Sequence, residues 1–446
     1  MKFITELHRF FMQNSGKFFK QMFGCNVRYF VIAVPIENGR ELKNMHMDAF
    51  NPDLVKAAAL YKDEIRSLRR SLHQYPELGL ECYKTAERVA SALKEAGLSV
   101  QTGVAGTGVV GILEGENPGP VIALRLDMDA LPIEEQTALP YASKLPGRMH
   151  ACGHDGHTAI GTGVAKTLSL LRRELNGTIK FIFQPGEENP GGAKPMIEEG
   201  ALKNPDVSAI WGFHIFPELL QGTVGVNYGT MTAGNDEFTI MLKGTGGHGG
   251  HPDKTCDPIL AAGYLIVAVQ SIVSRNIDPA EPLVVTIAEV KAGDSFNVIP
   301  ESVLIKGTIR SITSDGRALA AKRLKEILDG FTVAFGVGAD LTINPGESPL
   351  VCNRELTQFS ENQFLRLIGR DHTVRIERPS MGADDFAFFT DTIPGTYFRL
   401  GCLNREKAHV SMLHTPKFTF DEQILSDGML LISQLLFNYL KADGVK

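Results

Sequence analysis

The feature that most constrains the fold is a set of three short apolar runs, each followed closely by residues that can bind a metal ion. The runs and the residues that follow them are 121–126 with Asp127 and Asp129, 179–183 with Glu187 and Glu188, and 209–213 with His214. Helical periodicity separates the runs, as in residues 158–175, so the sequence predicts an α/β fold with a largely parallel sheet. Ligands of such sheets bind beyond the carboxyl ends of the strands. We therefore expect these polar side chains to meet at one edge.

Residues 233–345 form a different block. Its predicted strands and helices are 237–242, 258–274, 283–290, 302–310 and 317–335, in the order strand, helix, strand, strand, helix. This arrangement predicts a smaller α+β domain inserted into a catalytic domain made of residues 49–232 and 346–446. We find no internal repeat.

Residues 1–48 differ from the rest and are predicted to be a poorly ordered N-terminal extension, with Met45 or Met47 as an alternative start. The apolar run 29–35 is much shorter than the roughly 20 residues that a membrane span needs. The 45 basic residues are spread along the chain and the net charge is −6, which disfavours nucleic acid and acidic membranes as partners. The six scattered cysteines favour a reducing compartment, so we expect a cytoplasmic protein.

The densest group of possible ligands lies in residues 149–157, just ahead of a predicted helix. Its members are His150, Cys152, His154, Asp155 and His157. Cysteine and histidine bind zinc well, and carboxylates extend the choice to manganese or cobalt. The alternative interpretation is a capped helix start, in which Asp155 is the cap and Cys152 is a small buried apolar residue.

Glu187 and Glu188 are adjacent carboxylates after a predicted strand. On an extended turn their side chains point in different directions, so one can bind metal while the other faces the attacking water. A solvated acidic turn is the alternative. His214 and His414 are both flanked by apolar residues, a pattern typical of core histidines, but together with the other candidates they favour metal binding.

The chain resembles the two-metal amidohydrolases and peptidases that include aminoacylase, hippurate hydrolase, the plant auxin-conjugate hydrolases and, more distantly, carboxypeptidase G. The resemblance runs from about residue 65 to about residue 425. The matching motifs are His73-Gln74-Tyr75-Pro76-Glu77, Asp127-Met128-Asp129, His150-Ala151-Cys152-Gly153-His154-Asp155, Pro185-Gly186-Glu187-Glu188, Gly246-Gly247-His248-Gly249, Asn297, Met381-Gly382-Ala383-Asp384-Asp385-Phe386 and His414-Thr415-Pro416.

The resemblance implies two divalent metal ions per subunit, Zn²⁺ or Mn²⁺ in the first place and Co²⁺ or Ni²⁺ as further candidates. The implied ligands are Cys152, His154, Glu188, His214 and His414, with Cys152 bridging the two metals. Glu187 would be the general base that takes a proton from a metal-bound water as the resulting hydroxide attacks the amide. Asp129 would orient a histidine ligand by accepting its free ring N–H.

In the family, a histidine in the position of His248 stabilises the oxyanion in the site of a partner subunit. The resemblance therefore implies a homodimer formed through the inserted domain, which would also serve as a lid. Asn297 and Arg310 match positions near the substrate carboxylate, and a guanidinium can bind a carboxylate at two points. A surface ion pair is the alternative for Arg310. Ala383-Asp384 departs from the Ser-Glu common in relatives and puts substrate choice in doubt.

The implied function is hydrolysis of the amide bond of N-acyl amino acids, with acetyl, benzoyl or similar acyl groups. Three alternatives remain at this stage. The chain could be a dipeptidase or aminopeptidase of the same superfamily, a catalytically idle metal-binding homologue, or a hydrolase that uses Cys152 as its nucleophile.

Overall fold

The computed structural model describes residues 45–404 and 411–442. The predictions for residues 1–44 lie outside the described residues. Residues 45–48, at the end of the predicted extension, pack against the rest of the chain: Met45 is buried, and the His46 N–H donates to the Leu367 carbonyl at 2.8 Å.

The larger sheet has eight strands in the order β1-β2-β4-β3-β5-β16-β6-β15. Its strands are β1 (Ser99–Val104), β2 (Gly108–Glu114), β3 (Asn117–Asp127), β4 (Asn176–Gln184), β5 (Ala209–Leu220), β6 (Val224–Val226), β15 (Thr373–Arg375) and β16 (Gly395–Leu403). The central strands β4, β3, β5 and β16 are parallel to one another, whereas the β1-β2-β4 edge and the β16-β6 pair are antiparallel. The expectation of an α/β fold with a largely parallel sheet is confirmed.

Helices cover both faces of this sheet, which is why its central strands are continuous apolar runs. The helices of this part of the chain are α1 (Pro52–Gln74), α2 (Tyr83–Glu95), α3 (His154–Ser169), α4 (Ala193–Glu198), α7 (Arg354–Ile368), α8 (Ala387–Thr392) and α9 (Gln423–Lys441). Side chains of β3 alternate between the two faces. Leu126 packs under Gly161 of α3, and Ala123 packs with Phe386 and Phe389 at the α8 side.

Strand β5 is longer than predicted. The sequence pattern ends the strand at residue 213, but β5 pairs with β16 as far as Leu220. The prediction that His214 follows the end of a strand is therefore wrong, because pairing with β16 extends β5 beyond its apolar run. His214 still lies near the expected edge: the pairing of β3 with β5 ends at Leu124 opposite Trp211, and Asp127 and His214 each follow that pair by three residues on their own strands.

A second, antiparallel sheet lies within residues 234–345, in the order β10-β12-β8-β13. Its elements are β8 (Gly234–Lys243), α5 (Pro258–Asn276), β10 (Leu283–Ala292), β12 (Ser302–Ser311), α6 (Ser314–Phe335) and β13 (Gly338–Pro345), and the short strands β9 (Gly247–His248) and β11 (Val298–Ile299) pair beside it. Both helices contribute to one apolar core with this sheet. The sequence pattern missed β13, whose side chains are largely exposed. The boundaries and role of an inserted domain stay a prediction.

Short strands β7 (Thr230–Thr232) and β14 (Leu350–Val351) form a two-stranded sheet. They occur close to the two ends of the 234–345 segment, where the chain leaves the larger part and returns to it. One antiparallel pair of strands therefore joins the outgoing chain segment to the returning one.

Candidate metal centre

The end of β3 fixes the position of the adjacent acids after β4. Asp129 is buried, and its two carboxylate oxygens accept hydrogen bonds from the backbone N–H groups of Glu187 at 3.0 Å and Glu188 at 3.1 Å. This is possible because β3 and β4 are parallel neighbours that end together, with Asp127 opposite Gln184. Asp129 Oδ1 also lies 3.4 Å from His154 Nδ1, close to the histidine-orienting role implied by the resemblance.

The start of α3 supplies two more predicted ligands. His154 is the first residue of the helix, and Gly153 before it has a φ of 88°, a left-handed conformation that favours glycine. This turn places Cys152 and His154 on the same side of the centre. Both are buried. The predicted helix 158–175 in fact begins at His154 and ends at Ser169, so the predicted ligands lie at its N-terminus itself.

The five predicted metal ligands come together in two groups that share Cys152. Cys152 Sγ lies 3.3 Å from His214 Nε2 and 3.3 Å from His414 Nε2. One group is Cys152, His154 and His214; the other is Cys152, Glu188 and His414, and the ligand atoms within each group lie within 4.8 Å of one another. Residues from four separate segments, 262 positions apart in the case of Cys152 and His414, thus form one cluster.

The chemistry of this donor set fits divalent metal ions. His154 Nε2 and Glu188 Oε1 are buried and have no hydrogen-bond partner among the described residues. Buried polar atoms without partners are costly, and a cation would satisfy them. Cysteine, histidine and carboxylate are the usual ligands of zinc and of related first-row metals.

His214 and His414 are held with the Nε2 atom directed at Cys152. The Nδ1–H of His214 donates to the Ile215 carbonyl at 2.6 Å, which leaves the lone pair on Nε2. Burial lowers the pKa of His214 well below its usual value, with His157 adding to the effect, so the ring is neutral. His414 has a φ of 59°, an unfavourable left-handed backbone for a residue with a Cβ, and its N–H donates to the Ala151 carbonyl at 2.9 Å.

Glu187 lies beside the two groups. Its Oε2 is 3.8 Å from His154 Nε2, and its side chain is 12% exposed. Burial raises the pKa of Glu187 well above its usual value, and the carboxylates of Asp384 and Glu188 raise it further. A carboxylate with a raised pKa can take up a proton near neutral pH, which is the property that a general base needs.

Burial also raises the pKa of the Cys152 thiol well above its usual value, with Glu188 and Glu187 adding to the rise. A cysteine nucleophile requires a lowered pKa. The surroundings of Cys152 therefore disfavour a cysteine-nucleophile mechanism, whereas a bound cation would stabilise the thiolate as a ligand.

His157 and Asp127 lie next to the centre, and His157, one of the possible ligands in residues 149–157, has a supporting role that the sequence pattern does not predict. His157 Nδ1–H donates to Asp127 Oδ1 at 2.6 Å, and its Nε2 accepts the Ile215 N–H at 2.9 Å. Both ring nitrogens are thus engaged, so His157 holds β5 beside His214 and is not free to bind metal. Asp127 is 1% exposed, so this carboxylate at the end of β3 is not solvated.

The residues proposed for substrate and oxyanion binding lie in the smaller sheet's segment. His248 is opposite Val298 in the β9-β11 pair, and the Gly249 N–H donates to the Asn297 carbonyl at 2.8 Å, so His248 and Asn297 are neighbours. Within the described residues, no hydrogen bond or ring contact joins His248 to the five predicted ligands. Arg310 Nη1 donates to the Met381 carbonyl at 3.1 Å, which connects β12 to the segment before α8. The roles of these three residues stay predictions.

A comparison with protein-family models matches residues 123–438 to the peptidase family M20/M25/M40. The match includes all five predicted ligands. Among curated proteins, the chain is 40% identical over 370 residues to the N-acetylcysteine deacetylase of Bacillus subtilis, covering 83% of this chain and 95% of the relative.

The chain is also 39% identical over 382 residues to the IAA-amino acid hydrolase ILR1-like 4 of Arabidopsis thaliana, covering 85% of this chain and 86% of the relative. Among solved structures, a Bacillus subtilis protein described as a dinuclear metal-binding peptidase from the M20 family superposes with a TM-score of 0.74. That structure is 34% identical in sequence, and the match covers 86% of this chain and 99% of the other.

Proposed function

The chain belongs to the peptidase family M20/M25/M40 and is an amidohydrolase, and on that premise we propose that it hydrolyses N-acyl amino acids with two divalent metal ions and Glu187 as the general base. The observation that carries the proposal is the pair of ligand groups that share Cys152 beside Glu187.

The residues that would hold the metals are His154 and His214 for one ion and Glu188 and His414 for the other, with Cys152 between them. When bound, the metals supply Lewis acidity that polarises the amide carbonyl and lowers the pKa of a water molecule toward about 7. The protein's own task is to hold these side chains in place.

Glu187 moves the proton. Its carboxylate accepts a proton from the attacking water and returns it to the amine that leaves, so that the free amino acid and the carboxylic acid are released. Asp129 accepts a hydrogen bond from the Glu187 backbone N–H. This hydrogen bond keeps the Glu187 carboxylate at the edge of the centre.

The substrate class is supported by the relatives. The names of two of them specify an N-acetylated amino acid and an amino acid conjugate of IAA, and both are amides of an amino acid nitrogen. Arg310 and Asn297 would bind the free α-carboxylate of such a substrate. A dipeptidase activity, or a metal-bound but idle protein, would leave the same ligand set in place, so turnover has to decide between these functions.

The oxyanion would be stabilised by His248 of a partner subunit in a homodimer. Support comes from α5, where Leu260, Tyr264 and Val267 are 53%, 58% and 72% exposed at helical spacing on one face. This helix has a mean hydropathy of 1.5 and is the one described helix long and apolar enough to cross a membrane by length and composition, although 33% of it is buried. Burial of its apolar face against a second copy would explain this composition.

The test is amine release from N-acetyl-methionine, hippurate, an indole-acetyl amino acid and a dipeptide. Metal-depleted protein is assayed with and without added Mn²⁺ or Zn²⁺, beside Glu187→Ala and the matched control Glu198→Ala, an exposed glutamate on α4. We expect metal to restore turnover of an N-acyl amino acid in the parent and in Glu198→Ala but not in Glu187→Ala. Preference for the dipeptide would contradict the substrate class, and no turnover with any metal would contradict the enzyme mechanism.

A further inference from the structure

A buried carboxylate outside the predicted ligand set, Asp385, lies at the neck of the loop that carries Glu187 and Glu188. We call residues 185–192, between β4 and α4, the acid-pair loop. The Asp385 side chain is 0% exposed. It is distant in sequence from this loop and reaches it from the segment just before α8.

Asp385 bonds both ends of the acid-pair loop. At the entry, Gln184 Nε2 donates to Asp385 Oδ1 at 2.8 Å and to Oδ2 at 2.7 Å. At the exit, the backbone N–H groups of Gly192 and Ala193 donate to Oδ2 at 3.0 Å and 2.9 Å. One carboxylate thus joins the last residue of β4 to the first turn of α4.

The two ends of the loop are in direct contact at this neck. A Cβ added to Gly192 would lie 1.7 Å from the Pro185 carbonyl oxygen, so only glycine allows this approach. The Gly191 N–H donates to the Gly186 carbonyl at 2.9 Å, which forms a second contact across the loop, one residue closer to its tip. The position of the tip, where Glu187 lies, therefore depends on how the neck is held.

Arg125 connects this neck to β5, the strand that carries the predicted ligand His214. Its Nη2 donates to Asp385 Oδ1 at 2.7 Å, its Nε to Gln184 Oε1 at 2.9 Å, and its Nη1 to Asp127 Oδ2 at 2.7 Å. Asp127 in turn accepts from His157, which holds the Ile215 backbone next to His214. A continuous set of buried hydrogen bonds thus joins the acid-pair loop to the strand that carries a metal ligand.

We propose that Asp385, paired with Arg125, is a positioning residue that fixes where Glu187 lies relative to the metal ligands. The inference rests on the proposed function and deepens it. Asp385 bonds the neck of the loop, and one of its carboxylate oxygens also lies within 4.8 Å of one of Glu187, so its effect passes through Glu187. A displacement of about 1 Å at a reacting group can cost on the order of a hundredfold in rate.

The first test is Asp385→Asn, which preserves shape but turns one acceptor oxygen into an N–H donor facing other donors. We expect kcat to fall about tenfold or more while KM changes by less than about threefold, since ground-state binding is not touched. The matched control is Glu361→Gln, which removes a buried carboxylate paired with Arg375 and Tyr228 elsewhere in the molecule. Its kcat should equal that of the parent, and a parental kcat in Asp385→Asn would overturn the proposal.

A double-mutant cycle separates positioning from a general loss of structure. If Asp385 acts through Glu187, Asp385→Asn causes no further fall in kcat once Glu187→Gln is present. An equal fall in both backgrounds would overturn the positioning role.

Hydrogen exchange in metal-free protein tests, without any turnover, whether Asp385 holds the two ends of the acid-pair loop together. We expect amide exchange over residues 185–193 to be faster in Asp385→Asn than in the parent or in Glu361→Gln. Unchanged exchange would contradict the role of Asp385 in holding this loop. The two proposals fail in different ways: parental kcat in Glu187→Gln would remove the proposed general base, whereas parental kcat in Asp385→Asn with loss in Glu187→Gln would remove only the positioning role.

Discussion

At the residue scale, Glu187 and Glu188 are adjacent carboxylates with different surroundings. Glu188 Oε1 lies 3.1 Å from His414 Nε2, and the neighbouring His414 and His154 rings lower the pKa of Glu188 although burial opposes the change. Glu187 instead faces Asp384, and its pKa is raised by burial and by that neighbour. The two side chains are therefore suited to separate tasks, one as a ligand and the other as a proton acceptor.

We predict that Glu188→Gln and Glu187→Gln separate metal binding from proton transfer. Glu188→Gln should lower the bound metal per chain, because it weakens one of the two ligand groups. Glu187→Gln should keep the metal content of the parent and lose about 10²–10⁴ in kcat. Elemental analysis of dialysed protein beside turnover checks both results. Loss of metal in Glu187→Gln would show that Glu187 is a ligand.

The residues that could be predicted from sequence were those whose type alone suggests chemistry. Cys152, His154 and Glu188 were recognised from their density or their position after a strand, and the structure brings them together. His157 and Arg125 were not, because their roles depend on partners that pattern cannot show. Arg125 meets Asp385 across 260 residues of sequence, and nothing in a local window predicts that pairing.

At the scale of the elements, α3 presents the ligands only if its first turn is anchored to α1. Asp155 is fully buried and accepts from Arg69 Nε at 2.8 Å and from His73 Nδ1 at 2.8 Å. The sequence pattern suggested Asp155 as a helix cap. In the structure Gly153 occupies the cap position, and Asp155 accepts the Gly156 N–H at 2.9 Å in addition to bonding the two side chains of the neighbouring helix.

We predict that Asp155→Ala lowers the free energy of unfolding by about 3–5 kcal/mol, because it leaves the buried guanidinium of Arg69 without its principal partner. Asp329→Ala, which breaks the exposed Lys325–Asp329 pair on α6, should change it by less than about 1 kcal/mol. Urea denaturation of both variants in metal-free protein measures the difference. Equal effects would contradict the anchoring role of Asp155.

The elements themselves were predicted well where one face or both are apolar, as in β3, β4 and α5. Failures came from tertiary pairing. Strand β5 continues past its apolar run because β16 pairs with it to Leu220, and β13 was missed because its side chains are largely exposed at an edge of the smaller sheet. Local patterns do not contain either pairing.

At the scale of the whole molecule, the apolar face of α5 predicts a homodimer in which His248 serves the partner's site. Val267→Arg should shift the protein toward monomers in analytical ultracentrifugation, whereas Val333→Arg, at a still more exposed valine of α6, should not. Association with detergent or vesicles in place of dimer formation would contradict this interpretation of α5.

The same prediction requires complementation between chains. Glu187→Gln and His248→Ala subunits, each inactive alone, should regain turnover when they are mixed and allowed to exchange, because one site of the mixed dimer then has both groups. Mixed dimers without turnover would contradict the contribution of His248 across the interface.

The central claim is that Cys152 joins two ligand groups into one dinuclear centre, and anomalous X-ray diffraction from crystals grown with Mn²⁺ tests it most directly. We expect two anomalous peaks per chain, one beside His154 and His214 and the other beside Glu188 and His414, with Cys152 Sγ in contact with both. A single peak, or two peaks of which neither contacts Cys152, would contradict the account.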